Sequence, residues 1–236
     1  MWLIILGSVA AVLAALALYF VATARRIARP TLGEPIAGDA AKGALLVIDM
    51  QEDFTRSQGA NAYDPGARDH AIARINERVA QARNAGEPVA FIRQEHEGRA
   101  VQLVASLLLG GAGNPGRPGG RLDRDIDADG FPVFVKHVGD GFSNRELERF
   151  LDEAGVGRLR LAGLDLAHCV ARTAHGARNR GYAVEIDEAG SLTADPRRWL
   201  REKAALAARE VRFAPCLEHG TPHLGRDMSL ESSGYR

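Results

Sequence analysis

The chain has 236 residues, of which 46% are hydrophobic, and its 30 basic side chains balance 30 acidic ones. A chain of this length buries one ordinary globular core. Zero formal net charge without a clustered basic face argues against nucleic acid as a partner, because phosphates are neutralised by clustered cations. With only two cysteines, Cys169 and Cys216, a disulfide framework is excluded as the means of stability, although one bridge stays open.

The N-terminal segment carries no charged residue from position 2 to position 22. At 1.5 Å per residue such a helix covers roughly 30 Å, the hydrocarbon thickness of a bilayer. We therefore predict a transmembrane anchor over residues 1–24. A cleaved signal peptide is the alternative, since residues 22–24 resemble a cleavage site, but the basic region that should precede it is missing.

The cations lie after the apolar run, as Arg25, Arg26 and Arg29. By the positive-inside rule they stay in the cytoplasm, which predicts a single-pass membrane protein with its main domain on the cytoplasmic side. Residues 25–43 are interrupted by proline and glycine and lack apolar periodicity. This stretch is predicted to be a linker.

Strand and helix patterns alternate over residues 44–216. Apolar runs predict six strands, at 44–49, 88–93, 131–136, 158–164, 182–187 and 210–214. Helical spacing or capping residues predict helices over 70–85, after a capping box at Ser143 and Glu146, and from Asp195 and Pro196 to Ala208. This alternation is typical of an α/β domain in which a mainly parallel sheet lies between two helical layers.

One long excursion, residues 94–130, interrupts the alternation. It contains an apolar patch over 101–109 and then a glycine-rich stretch. Long irregular insertions in compact domains are usually functional or disordered. We interpret it as a lid or substrate-shaping loop, with a surface excursion of no consequence as the alternative. The polar tail, 217–236, is expected on the surface.

The stretch around Cys169 is the most informative part of the sequence. An apolar strand ends at Gly163, a short turn follows, and the cysteine precedes a helix of small residues. Free N–H groups and the positive end of a helix dipole favour the thiolate. Cys169 is therefore a candidate nucleophile, and the alternative is a buried, inert cysteine.

Two further ionisable residues end predicted strands. Asp49 and Lys136 each follow an apolar run, and ligands bind at the carboxyl edge of open parallel sheets. A buried acid needs a partner, so a structural salt bridge is one interpretation of each residue. An acid, a cation and a thiol at one sheet edge also form a nucleophilic set.

Three segments, 44–54, 134–151 and 163–191, resemble the isochorismatase-like cysteine hydrolases. The resemblance implies a sheet of order 3-2-1-4-5-6 and a catalytic triad of Asp49, Lys136 and Cys169. It also implies a cis peptide between Leu164 and Asp165. Backbone N–H groups near that peptide and at Cys169 would then form an oxyanion hole. The candidate substrate contacts are Gln51, Phe54, His96 and His168.

No metal or other cofactor is expected. Nicotinamidases of this superfamily bind a metal through an Asp-x-His pair and a further histidine, whereas this chain offers Gln94, Glu95 and His96 after the second strand. A lone His96 favours a loop residue or a substrate contact, because a metal site needs several converging donors.

These observations predict a membrane-anchored cysteine hydrolase that cleaves a small amide or related bond through a thioester. An isochorismatase-type vinyl ether hydrolase is the closest enzymatic alternative. A non-catalytic, membrane-tethered binding or assembly module of the same fold is the alternative from another class. The expected partners are a small-molecule substrate and the membrane, and self-association is left open.

Overall fold

The computed structural model describes residues 2–38, 40–56 and 62–214. The strands are β1 (Lys42–Ile48), β2 (Val89–Gln94), β3 (Val133–Lys136), β4 (Val156–Gly163), β5 (Ala183–Ser191) and β6 (Arg212–Ala214). The helices are α1 (Trp2–Ala28), α2 (Glu52–Thr55), α3 (Pro65–Ala85), α4 (Arg99–Leu108), α5 (Arg145–Glu153), α6 (Ala171–Asn179) and α7 (Pro196–Ala207).

The strands form one sheet in the order β3-β2-β1-β4-β5-β6, which confirms the predicted order. Every neighbouring pair is parallel. The direction of winding reverses between β1 and β4, so their carboxyl ends lie side by side at the switch point. A crevice at such a point is where open α/β sheets bind ligands.

Alternate side chains of β1 pack into two separate hydrophobic cores, one on each face of the sheet. Leu46 and Ile48 pack with α5, α6 and α7, whereas Leu45 and Val47 pack with α3 on the opposite face. Successive residues of a strand point to opposite faces, so a strand covered on both sides is apolar throughout. The three-layer arrangement predicted from the apolar runs is confirmed.

Gly163 lets β4 end in close contact with β1. Its φ of 118° is unfavourable for other residues, and a β-carbon there would overlap the carbonyl oxygen of Ile48. That oxygen instead accepts a hydrogen bond of 2.9 Å from the N–H of Leu164. The turn that leads to Cys169 is thereby held beside the end of β1.

The helix termini correct one prediction and confirm another. The N-cap of α5 is Asn144, whose side-chain oxygen accepts hydrogen bonds from the N–H groups of Glu146 and Leu147 at 2.8 and 3.3 Å. The predicted capping box at Ser143 is wrong, because its hydroxyl donates to the carbonyl of Asp140 in the preceding turn. Asp195 is the N-cap of α7, as predicted.

The N-terminal segment is helical, since α1 covers Trp2–Ala28. Within the described residues, however, no helix has both the length and the apolar character needed to cross a bilayer. The transmembrane part of the predicted architecture is therefore not supported by the structure, and the cellular location stays a prediction.

The excursion over residues 94–130 is more regular than its composition suggests. It contains α4, on which Leu103, Leu107 and Leu108 are exposed. Its second half is fixed to the domain, because the N–H of Asp123 donates to the carbonyl of Met50 at 2.7 Å. The lid role stays a prediction, and the tail with Cys216 lies outside the described residues.

Candidate active site

Asp49 immediately follows β1 and turns the chain at the sheet edge. Its φ of 54° lies in the left-handed region, which aspartate tolerates better than most residues because its side chain is short and polar. Its carbonyl accepts a 2.7 Å hydrogen bond from the N–H of Gln51, and the residue is only 2% exposed. The carboxylate thus stays buried where β1 ends.

Lys136 is the last residue of β3 and is fully buried. Its ammonium lies 2.8 Å from Asp49 Oδ2 and 3.4 Å from Cys169 Sγ. It also donates to Gln94 Oε1 at 2.6 Å and to the carbonyl of Val138 at 3.3 Å. Burial alone would lower the pKa of Lys136, but the negative groups of Asp49 and Cys169 outweigh burial and raise it. The lysine is therefore a cation that bridges acid and thiol.

Cys169 lies in a short π-helical turn, Leu166–Val170, that leads into α6. Burial raises its pKa to about 12, against the lowering effect of Lys136 and with a further increase from Asp49. Lys136 favours the thiolate, as predicted, but burial has the larger effect, so the thiol is the favoured form in the resting site. The sulfur keeps its proton.

The structure brings the three predicted triad residues into one cluster, although their catalytic roles stay predictions. Within the described residues, Asp49 Oδ1 is buried and has no hydrogen-bond partner. The negative charge of Asp49 contributes to the raised pKa of Cys169. The free oxygen of Asp49 is therefore available for the thiol proton, while its other oxygen is held by Lys136.

Asp165 organises the turn before the cysteine. The Leu164–Asp165 peptide bond is cis, at the position that the family resemblance implies. The Asp165 carboxylate accepts hydrogen bonds from Ala167 N, Ala194 N, Thr193 Oγ1 and the Tyr63 hydroxyl, at 2.7, 2.6, 3.2 and 3.2 Å. Its own carbonyl accepts from the N–H groups of His168 and Val170. The oxyanion hole predicted at Leu164, Asp165 and Cys169 stays a prediction.

Gln51, one predicted substrate contact, is instead a structural clamp. It is fully buried, and its side-chain nitrogen donates to the carbonyls of Gln94 and Gly120, each at 3.1 Å. Its side-chain oxygen accepts the N–H of Gln94 at 2.6 Å. Both amide protons are used within the protein, so the side chain ties β2 and the excursion to the β1 edge.

Phe54 and His96 converge on Gly113 of the excursion. A β-carbon at Gly113 would lie 3.2 Å from the Phe54 ring and 3.0 Å from His96 Nε2. His96 Nε2 is buried and unpartnered within the described residues, and burial lowers the pKa of His96. Burial also lowers the pKa of the half-buried His168 beside the cysteine. Both imidazoles are therefore neutral near pH 7 and stay candidate substrate contacts.

The donor set after β2 does not fit a metal ion. Gln94 Oε1 is held by Lys136, and Glu95 Oε1 pairs with Arg93 at 2.8 Å. Of the two remaining donors in residues 94–97, Glu97 is exposed and His96 is half-buried, and a metal site needs several converging donors. No group of three or more His, Cys, Asp or Glu suited to a metal occurs in the described part of the chain.

Two residues of the site were missed from the sequence. Gln94 ends β2 at the edge where Asp49 and Lys136 lie, so the strand-end argument applied to those two would also have found it. Tyr63 reaches Asp165 across 102 residues of chain, and no local pattern marks it. Burial and the charge of Asp165 raise the pKa of Tyr63, so its hydroxyl stays protonated and donates.

The sheet is doubly wound and parallel, and an acid, a lysine and a cysteine lie in contact at its switch point. These features define a class of α/β proteins that carry a reactive site at this edge of the sheet. Comparison with known proteins identifies the particular family. The family model described as the isochorismatase domain matches residues 43–219, and the chain belongs to this family.

Relatives and solved structures agree with this assignment. The chain is 28% identical over 192 residues to the ureidoacrylate amidohydrolase of Variovorax paradoxus, covering 68% of this chain and 73% of that enzyme. It is 31% identical over 153 residues to a streptothricin hydrolase of Streptomyces noursei, covering 64% of this chain but only 50% of that enzyme. An isochorismatase family protein from Desulfovibrio vulgaris has a similar structure, with a TM-score of 0.64, 26% identity and coverage of 74% and 94%.

Proposed function

We propose that this chain is a cysteine-dependent hydrolase that cleaves a small amide, or a related acyl bond, through a thioester. The observation that carries the proposal is the contact of one buried ammonium with both an acid and a thiol, 2.8 Å from Asp49 Oδ2 and 3.4 Å from Cys169 Sγ. Acyl transfer requires a nucleophile, a proton acceptor and a charge that stabilises their ionised forms. The amidohydrolase among the relatives supports the same reaction class.

The chemistry starts from a protonated thiol. Because the pKa of Cys169 is raised to about 12, the sulfur must lose its proton as it attacks. Asp49 Oδ1, which is buried and has no partner among the described residues, is the proposed acceptor. The Cys169 proton passes to Asp49 while sulfur bonds to the carbonyl carbon. The C–N bond then breaks, and the amine leaves with that proton.

Water completes the cycle. It gives a proton to Asp49 and attacks the thioester carbon, the C–S bond breaks, and the proton returns to sulfur as the acid product leaves. Throughout, Lys136 remains an ammonium and stabilises whichever neighbour is negative. The same ion pair explains why two charged side chains are tolerated in a fully buried position.

A substrate screen with two cysteine variants tests the proposal. The full-length chain would be assayed against small amides, ureido acids and isochorismate, together with Cys169→Ala and, as the matched control, Cys216→Ala. We expect amide hydrolysis that is lost in the Cys169 variant and kept in the control. Isochorismate turnover that survives in Cys169→Ala would favour the vinyl ether hydrolase. No turnover, with Cys169 unreactive to iodoacetamide, would favour the non-catalytic module.

The membrane location stays a separate prediction. It rests on the uncharged run over residues 2–22 and on the arginines that follow it. Carbonate washing of membranes from cells that express the full chain would test it, and recovery of the chain in the soluble fraction would contradict it.

A further inference from the structure

The loop that follows the lysine strand is held from outside the family domain. The family model starts at residue 43, yet the segment between α1 and β1 contacts the β3–α5 loop. The N–H and the hydroxyl of Thr31 both donate to Asp140 Oδ2, at 2.7 and 2.8 Å. The N–H of Gly139 donates to the carbonyl of Ile27 at 3.1 Å. We call residues 27–36 the N-terminal strap.

Asp140 is the loop residue that accepts the hydrogen bonds of Thr31 from the strap. Its carboxylate is fully buried, and its second oxygen accepts the N–H of Phe142 at 2.9 Å. A β-carbon at Gly176 of α6 would overlap this carboxylate, so only glycine lets α6 pack so closely. Burial raises the pKa of Asp140, and the donors from Thr31 and Phe142 oppose that increase. The strap therefore supplies two of the donors that a buried acid needs.

The strap is also anchored on its other side. Asn179 donates to the carbonyl of Thr31 at 2.8 Å, and Arg180 donates to the carbonyls of Thr31 and Leu32 at 3.3 and 3.1 Å. The N–H of Ile36 donates to the carbonyl of Arg180 at 2.9 Å. Contacts on both sides hold Thr31 between α6 and the loop.

The loop in turn holds the catalytic lysine candidate. Lys136 Nζ donates to the carbonyl of Val138, only two residues before Asp140. We propose that the N-terminal strap is a positioning element of the active site, in which Thr31 acts through Asp140 to keep Lys136 in contact with Cys169. A free linker would make none of these contacts.

The rate of Cys169 alkylation by iodoacetamide tests this role without a known substrate. Variants of the full-length chain would be Thr31→Val, which removes the hydroxyl donor, and Thr31→Pro, which also removes the N–H. Leu32→Ala is the matched control, because that side chain is 85% exposed. Mass spectrometry of the labelled peptides separates Cys169 from Cys216.

The direction in which the Cys169 alkylation rate changes distinguishes a strap that positions Lys136 from one that only stabilises the fold. If Lys136 retreats by about 1.5 Å from the sulfur, the thiolate fraction falls about tenfold at an effective dielectric constant of about 20. We expect labelling near pH 8 to slow in Thr31→Pro, less in Thr31→Val, and not in Leu32→Ala. A strap that only adds stability would expose the thiol when weakened, so labelling at the parent rate or faster would overturn the proposal.

A different observation concerns Arg172, one helical turn beyond Cys169. Among the arginines of the described residues that are not exposed, only Arg172 has no hydrogen bond or ion pair. Gly139 leaves space for it, since a β-carbon there would lie 2.8 Å from Arg172 Nη1. Its charge acts on both Cys169 and His168. A half-buried guanidinium without an anion is costly unless an anion binds to it.

Building on the proposed function, we infer that Arg172 recognises a carboxylate on the substrate, so that the substrate class is a small anionic amide. Arg172 follows Cys169 by three residues in the chain, and its charge lowers the pKa of the thiol. A cation whose charge acts on the reacting thiol would favour acids over neutral amides. The opposing explanation is that Arg172 only balances the carbonyl end of α1, because Ile27 O also lies near Gly139.

Two reagents of nearly the same shape distinguish these explanations. Iodoacetate carries a carboxylate and iodoacetamide is neutral, so the ratio of their labelling rates at Cys169 cancels any change in thiol pKa. We expect Arg172→Met to lower the ratio several-fold. The control Arg198→Met, whose charge also acts on His168 but which pairs with Glu202 at 3.7 Å, should leave it unchanged. An unchanged ratio in Arg172→Met would refute the carboxylate site, whereas failure of both reagents to label Cys169 would refute the proposed function.

Discussion

Replacing Lys136 by methionine should slow alkylation of Cys169, because the cation that favours the charged sulfur is lost. At the observed 3.4 Å, two unit charges attract by about 5 kcal/mol at an effective dielectric constant of about 20, equivalent to about 3.6 pKa units. The ammonium is shared with Asp49, so the net effect is smaller. We expect labelling at pH 8 to slow by at least about tenfold, since below its pKa each unit changes the thiolate fraction tenfold.

Replacing Asp49 by asparagine should have the opposite effect. Asp49 raises the pKa of Cys169, so its neutralisation should speed labelling even as hydrolysis is lost with the proton acceptor. The double variant should label at an intermediate rate. Slower labelling in Lys136→Met and faster labelling in Asp49→Asn would show that the acid, the lysine and the thiol interact, whereas three independent residues would not give this pair of results.

The assay is timed labelling with iodoacetamide between pH 7 and 9, read by mass spectrometry of the Cys169 peptide. Lys203→Met is the matched control, because that lysine forms a surface pair with Glu188. Removing one partner of a buried pair costs about 3–5 kcal/mol, so thermal melts must show that Lys136→Met is folded at the assay temperature. If Lys136→Met labels as fast as the parent, or if both single variants shift the rate in the same direction, the reasoning is refuted.

Three further predictions concern stability and metal. The pKa of Cys169 is raised from 9.0 to about 12, so the stability that the protonated thiol contributes is present below pH 9 and is lost as the pH rises. Between pH 8 and 10.5, the free energy of unfolding of the parent, measured in urea, should therefore fall by about 2 kcal/mol more than that of Cys169→Ala. Asp123 is buried against Arg68, and Asp123→Asn should cost about 3 kcal/mol in urea unfolding at pH 7, with the exposed Asp129→Asn within about 0.5 kcal/mol of the parent. Burial would raise the pKa of Asp123, but hydrogen bonds from Thr55 and Arg68 lower it to about 2. The stability that ionised Asp123 contributes is therefore present above about pH 4 and should decrease as the pH falls towards 2, whereas Asp123→Asn should not show this decrease. A chelator should leave the melting temperature and activity unchanged, and stoichiometric zinc or iron in protein purified without added metal would contradict that expectation.

The sheet and its active edge were predictable because they depend on local patterns. Continuous apolar runs indicate strands covered on both faces, and polar residues that end such runs fall at one edge of a parallel sheet. This argument placed Asp49 and Lys136 together. The strand order, by contrast, was implied by the family resemblance, since apolar runs alone do not specify which strands are neighbours.

Helix boundaries were less predictable, because several residues compete for each cap. Ser143 and Glu146 match a capping box, but Asn144 is the N-cap, since Ser143 is held in the turn built by Asp140. That turn depends on the strap and on α6, which are distant in sequence. A local motif cannot report such a competition.

What the sequence determined by itself was therefore the set of strands, the thiol at a helix start and the charged residues at the sheet edge. Only the tertiary structure decided the protonation of Cys169, because the desolvation that raises its pKa depends on how completely the neighbouring segments cover it. The tertiary structure also decided that Gln51 is a clamp, that Tyr63 supports Asp165 and that Thr31 grips Asp140. Their partners lie 43, 102 and 109 residues away along the chain, and a hydrogen bond depends on distance in space, not on spacing in sequence.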